Sequence, residues 1–540
     1  MQILPVLTTT VLVGVGAATG ALAQAVHPDT GEALAQDQTF VYQMLVEPET
    51  IDPQRVGDSI GFAVARDLFE GLMNQRADGT LEPGVATGYV ANDTNDVFTF
   101  TLRDDARWSN GDPVTAHDFV YGARRAADPA TASHYGWFIE LAGIENATEV
   151  LAGEMPVESL GVVAIDDHTL EYRLENIVPY FPLMTVFATM FPAHQATIEQ
   201  HGDQWIRPEN IVSNGAYTLS EHVVGDRLVR TKSDTYWDAD NVIITETTGR
   251  VITDLEEGLA DYLAGDLDFA GIPGGQYPKL AADYPDEATS VPRLCTYYYA
   301  LNQSKRGPAQ LQDPRVRRAL SLAIDRDAIV DRILQGGQRP AYNLTHHATA
   351  EFDMPEIDYG LMTQAERDAE AARFLAEAGA DDLELELIHR TGEPDGEIAR
   401  LVADMWQQKL GVTSTLADYE WTAYVNVRGG QEFDVAGSSW CGDYNEASTF
   451  LDLLTTNNGI NDGRYSNPEV DRLLEEARLM ADPQPNYTRV EEILAEDMAV
   501  IPIHHYASVF MLKPDIKGWP YDNVENNWYS RELYRVASDG

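Results

Sequence analysis

Cysteine is nearly absent from this sequence of 540 residues: there are two, Cys295 and Cys441, both internal. Two thiolates fall short of the four ligands of a structural zinc site. In an oxidising compartment an even pair reads as one disulfide. Lysine is also scarce, so most basic residues are arginine. The 37 Lys and Arg stand against 87 Asp and Glu, a net charge of −50. Such a field repels polyanions at long range and excludes nucleic acid as a partner. No apolar run after the amino-terminal segment could span a bilayer. There is no long Ser/Gly/Pro linker and no internal repeat, so the domains are expected to be intimate, with the chain crossing between lobes. No G-x-S-x-G and no H-E-x-x-H occurs, which removes the commonest signatures of a secreted hydrolase.

What is present begins with an address. From Ile3 to Ala23 the chain is apolar or small and uncharged, ending in Ala21-Leu22-Ala23, a pattern that a signal peptidase accepts. Residues 1–23 are therefore expected to be a signal peptide, with Ala23-Gln24-Ala25 as a second cleavage register. With no cysteine near the cut, no lipid anchor is expected, and the mature chain should be a freely diffusing periplasmic monomer. About 515 residues would remain, too many for one core and enough for two or three domains.

Strand and helix signals alternate, which predicts a mixed α/β fold. Phe98, Phe100 and Leu102 alternate with threonines as in a half-buried strand, and Asn110-Gly111 supplies a turn. Thr115 and Asp118 form a capping-box start, and Asp313-Pro314 opens another helix with Ala319, Leu320, Ala323 and Ile324 as its buried stripe. Gln364 to Ala380 fits an exposed helix with Phe374, Leu375 and Ala378 facing in.

Chemistry is sparse. The twelve histidines are scattered except for His346-His347 and His504-His505. Neighbours in a strand point in different directions, so neither pair has chelating spacing by itself, and no metal or cofactor is expected. Acid pairs such as Asp443 and Glu446 could serve sugar hydrolysis, but with 87 acids such pairs arise by chance. The segment Trp440-Cys441-Gly442-Asp443-Tyr444-Asn445-Glu446 is more specific. It sets a carboxylate beside a tryptophan and a half-cystine, an arrangement suited to an ammonium group. The other cysteine lies in Leu294-Cys295-Thr296-Tyr297-Tyr298-Tyr299.

These segments, with Glu47-Pro48, Ile51-Asp52-Pro53, Arg66 to Leu72, Arg107 to Val114 and Asn214 to Tyr217, resemble the periplasmic oligopeptide-binding proteins of peptide ABC transporters, solute-binding family 5. The resemblance runs from about Val46 to the carboxyl end. It implies a two-lobed, three-domain fold of the periplasmic binding protein type (class II-like) that shuts over ligand by hinge closure. The expected division is domain I from 26–68, 193–294 and 511–540, domain II from 69–192, and domain III from 295–510. It implies a Cys295–Cys441 disulfide, Asp443 as partner of a peptide amino terminus, and Tyr135 nearby from the smaller lobe. Trp440, Cys441, Trp421 and Tyr298 are expected at the cavity, Ser59 in the segment that pairs its backbone with the peptide, and Arg428 as carboxylate anchor. Gly437 and Asp395 stand where relatives carry an arginine and a histidine for peptide carboxylates, and Gly57 and Ala300 where they carry acids. The function implied is non-catalytic capture of short peptides for a membrane permease. The alternatives are another amine-bearing solute, such as a cell-wall peptide or an opine, and a secreted hydrolase.

Overall fold

The computed structural model describes residues 25–537 apart from Asp381, Glu393 and Ala481. The expected signal peptide, 1–23, lies outside the described residues, among which no helix is long and apolar enough to cross a membrane.

Local sequence logic carries through. Thr115 and Asp118 close a capping box on the helix Ala116–Ala127, and Asp313 caps Pro314–Leu322 by accepting the Arg315 amide. Ala323 and Ile324 are buried just beyond that helix rather than inside it. Phe98, Phe100 and Leu102 point into the core from the strand Val97–Leu102.

Six strands of a large mixed sheet position the site: β1 (Thr39–Met44), β2 (Phe269–Gly271), β3 (Ala288–Leu301), β4 (Glu384–Arg390), β5 (Val435–Cys441) and β6 (Val500–Leu512). The sheet runs Thr413–Tyr419, β4, β5, β3, β6, β2, β1, Glu246–Val251, Arg227–Lys232, Tyr217–Val223. β3 and β6, 14 and 13 residues long, are the longest of the labelled strands and lie side by side in the middle of this path. Their first and last halves pair antiparallel, but the register shifts between Pro292 and Thr296. A separate four-stranded antiparallel sheet lies within residues 86–173.

The apolar cores follow the same division. The largest draws on residues 40–244 and 510–533, and two others draw on 294–503. Tyr444 is the exception: it joins the first core from the far side, its ring stacked on Tyr180 at 5.3 Å. The result is a two-lobed α/β protein whose lobes are joined by the β3–β6 ribbon and meet through aromatic contacts.

Candidate functional site

Where β3 and β6 part, a cavity of about 480 Å³ opens between the lobes, a size suited to a small ligand. Arg293, Leu294 and Cys295 of β3 form one wall and Ala507 to Phe510 of β6 another. The lobe-one side is the start of the helix Ser59–Leu68, capped by the Asp58 carboxylate, which accepts the Gly61 amide at 2.8 Å. First-turn amides have no acceptor inside a helix, so this end offers donors to a ligand.

The opposite side is the turn after β5. Cys441 faces Cys295 across the β5–β3 register and is joined to it by a disulfide. The turn is fixed by the Gly442 amide on the Leu294 carbonyl at 2.8 Å and by the Asp443 amide on the Thr449 hydroxyl at 3.1 Å. The side chain of Asp443 is left free: its Oδ2 is buried with no hydrogen-bond partner. Part of the residue's surface opens on the cavity, and the remainder is covered by protein. Burial, and then the charge of Glu525, pushes its carboxyl up to about 7. Glu525 lines the same cavity and is pushed up to about 7 by burial, opposed by hydrogen bonding from Gln75 and by the charge of Arg66.

Aromatic groups frame this acid pair. The Trp440 indole N–H is buried without a partner, and its ring is 6.3 Å from that of Trp137 in the other lobe. Tyr135 packs edge-on against Phe62 at 5.1 Å, and the nearby Asp443 charge adds to burial in raising its hydroxyl. Beyond Trp440 lies a second cavity of about 590 Å³, bounded by Trp137, Asp452 and Arg478.

Two cations complete the lining. Arg293 and Arg66 both face the first cavity, and burial lowers both guanidiniums. Arg66 Nε is buried and unsatisfied. Neither side chain has an ion pair or hydrogen bond among the described residues. The cavity thus offers two acids and two unmatched arginines, a lining for a ligand carrying both an amine and a carboxylate.

Of the residues expected from sequence, the structure brings Asp443, Trp440, Cys441, Tyr135 and Ser59 together around this cavity. It does not bring Trp421, Tyr298 or Arg428 there. Trp421 is exposed at the start of Trp421–Gly429, with the Arg390 guanidinium 5.9 Å from its ring. Tyr298 is buried in a second-lobe core. Arg428 is turned into its own lobe, where Nε donates to Asp462 at 2.7 Å, so its charge is already matched. Asp395 is likewise tied to Arg390 at 2.8 Å. Arg66, Arg293 and Glu525 were not singled out as ligand contacts; Arg66 sits in a quoted motif, and Arg293 stands two residues before Cys295.

Comparison with known proteins places this architecture. Residues 80–462 match the family described as bacterial extracellular solute-binding proteins, family 5 Middle. The periplasmic murein peptide-binding protein MppA of Escherichia coli is 40% identical over 522 residues, covering 95% of this chain and 96% of the relative. The periplasmic oligopeptide-binding protein OppA of E. coli is 37% identical, covering 96% of each. Among solved structures, that of the E. coli murein tripeptide-binding protein MppA superposes with a TM-score of 0.84 at 39% identity, over 93% of this chain and 99% of that one. That of Haemophilus influenzae OppA complexed with RPPGFSPFR gives 0.81 at 34% identity, over 93% and 100%. With its two lobes, crossing strands and interlobe cavity, the chain belongs to the family 5 bacterial extracellular solute-binding proteins.

Proposed function

We propose that this protein is an exported, non-catalytic receptor that captures short peptides by their free amino terminus and delivers them to the permease of an ABC transporter. The observation that carries the reading is Asp443, an enclosed carboxylate with an unpartnered oxygen at a cavity between two lobes. A group so placed is costly unless a cation meets it, and a peptide ammonium supplies that cation together with hydrogen-bond donors. Arg293 and Arg66 receive the carboxylate, the part that Arg428, held by Asp462, does not play. Main-chain groups of the peptide use the free amides at Ser59 and the wall where β3 and β6 separate, giving affinity with little dependence on side chains. Hinge closure of lobe two, residues 295–510, on domain I (26–68, 193–294, 511–540) and domain II (69–192) encloses the ligand. The periplasmic relatives named as peptide-binding proteins support the location and the ligand class.

Two unmatched arginines favour a second reading within the same class, a cell-wall peptide carrying an additional free carboxylate, in keeping with the 40% identity to a murein peptide-binding protein. Calorimetry with matched tripeptides that differ by one carboxylate separates the two: tighter binding of the more acidic peptide supports the cell-wall reading, and equal or weaker binding rejects it.

The central test is the amine. Asp443→Ala is expected to weaken binding of an unblocked tripeptide by about 100-fold or more, since an ammonium buried without its counter-charge costs roughly 3–5 kcal/mol. Amino-acetylated peptides should fail to bind the parent protein. Equal affinity for free and acetylated peptides in calorimetry would overturn the reading.

A further inference from the structure

We propose that His346, His347 and His505 form a site for one borderline divalent cation, Zn²⁺ in the first instance, separate from the peptide cavity. Ligand nitrogens of the three side chains all lie within 4.8 Å of one another. Sequence adjacency gives neither histidine pair a chelating spacing; a crossing of two segments supplies it. Side chains alternate along β6, so His504 stacks on Tyr297 with centroids 5.3 Å apart while His505 turns the other way. The short strand Arg339–Pro340 pairs with β6 at His505 and His504. The loop after it brings the rings of His346 and His347 to 4.7 and 5.2 Å from that of His505.

The spacing suits a metal. His347 Nδ1 and His505 Nδ1 are 3.1 Å apart, and a tetrahedral ion with metal–nitrogen bonds of about 2.0–2.1 Å holds its nitrogens about 3.3 Å apart. His505 is oriented by an outer hydrogen bond of the kind metal-bound imidazoles make: Nε2 donates to the Asn343 carbonyl at 3.2 Å, which makes Nδ1 the lone-pair nitrogen, and without an ion it accepts the His347 amide in a long contact of 3.4 Å that coordination would replace. His346 is fully buried, Nδ1 accepting the Ala348 amide at 3.1 Å and Nε2 having no partner. With Nδ1 as acceptor the neutral ring carries its proton on Nε2, so coordination through Nε2 requires that proton to move to Nδ1 and the Ala348 amide contact to give way; His346 is the ligand that must adjust.

The loop is held in place before any ion arrives. Leu344 and Thr345 donate their amides to the Glu491 carboxylate at 2.6 and 3.2 Å, and the Ala350 amide donates to Asn445 at 2.8 Å. The ligand set contains no carboxylate, and Arg339 is close enough to His346 and His347 to oppose added positive charge. A site that holds an ion through neutral nitrogen donors against a nearby guanidinium selects Zn²⁺, Cu²⁺ or Ni²⁺ over Mg²⁺ and Ca²⁺, which demand oxygen ligands.

Untagged mature protein, stripped with EDTA and titrated with ZnCl₂ by calorimetry in excess MgCl₂, should take up one equivalent. CoCl₂ at the same site should give the intense visible absorption of a tetrahedral cobalt centre. His347 is only partly buried, so His347→Ala should leave the melting temperature in EDTA unchanged while weakening zinc binding about 30-fold or more. His505→Gln should likewise weaken zinc binding and abolish the cobalt spectrum, whereas His117→Ala, remote from the cluster, should leave both unchanged. Absence of a saturable equivalent, or parental zinc affinity in both His347→Ala and His505→Gln, overturns the site.

Discussion

Lobe one contains a buried ion pair, Asp67 with Arg230, and the cavity is lined by half-buried charges that are only partly matched; the difference separates scaffold from receptor. Arg230 and Asp67 meet at 2.6 Å with side chains 0% and 1% exposed. Tyr42 accepts from Arg230 at 2.7 Å, and Ser530 donates amide and hydroxyl to Asp67 at 2.9 and 2.6 Å. Only Arg230 Nε is left orphaned. Around the cavity the matching is partial: Glu525 accepts from Gln75 and feels the charge of Arg66, while Asp443 Oδ2 and the Arg293 guanidinium have no hydrogen-bond partner among the described residues, although a helix cap and a disulfide fix the backbone equally well. Charges satisfied internally hold a fold together; charges satisfied by nothing await a ligand.

The largest expected effect breaks the matched pair. Asp67→Ala leaves Arg230 buried and uncompensated and should destabilise lobe one by roughly 3–5 kcal/mol, read as a lowered denaturation midpoint without ligand. Asp443→Asn should act in the opposite direction. Its folded carboxyl is raised to about 7, above the ordinary unfolded value, so the group favours the fold below about pH 4 and that contribution is lost as pH rises through 7. Removing the charge should therefore raise the ligand-free melting temperature at pH 8. If both substitutions destabilised equally, the distinction between the two regions would fail.

Next in size is the carboxylate end. Arg293→Ala should weaken a free tripeptide about 10- to 30-fold, the range of one charge-assisted contact of roughly 1.5–2 kcal/mol. It should leave the carboxyl-amidated peptide nearly unaffected, because that ligand no longer offers the anion. Equal losses for both peptides in calorimetry would remove Arg293 from the role.

Much of this was legible in the sequence, and the failures have physical causes. The cysteine pair, Trp440 and Asp443 sit in one short segment whose chemistry is visible locally, and resemblance located Tyr135 and Ser59, which the fold brings to the same cavity. Arg66, Arg293 and Glu525 come from three segments up to 459 positions apart, and each looks alone like an ordinary surface charge. Only the parting of β3 and β6 assembles them. Arg428, expected as an anchor, is instead paired with Asp462, a local acid that a matched position does not reveal. The clustering of His346, His347 and His505 was hidden for a related reason: it arises between segments, not along one.

The smallest effect, and the one most specific to the unmatched cavity, is its response to pH. An ammonium ligand needs Asp443 ionised, and with the carboxyl near 7 in the free protein the proton must leave on binding at lower pH. Each unit below 7 then costs up to about 1.4 kcal/mol until the complex itself begins to protonate. Affinity for an unblocked tripeptide should fall by at most about 25-fold from pH 7.5 to pH 5.5, with proton release measurable as a buffer-dependent binding enthalpy. Glu525, raised for the same reason, adds to the trend in the same direction, because its protonation removes a second negative charge from the cavity. In Asp443→Asn the remaining slope reports Glu525 alone and should be shallower. A parental profile that is flat over this interval would mean that Asp443 is already ionised in the empty cavity, and hence that a cation other than the ligand stands beside it.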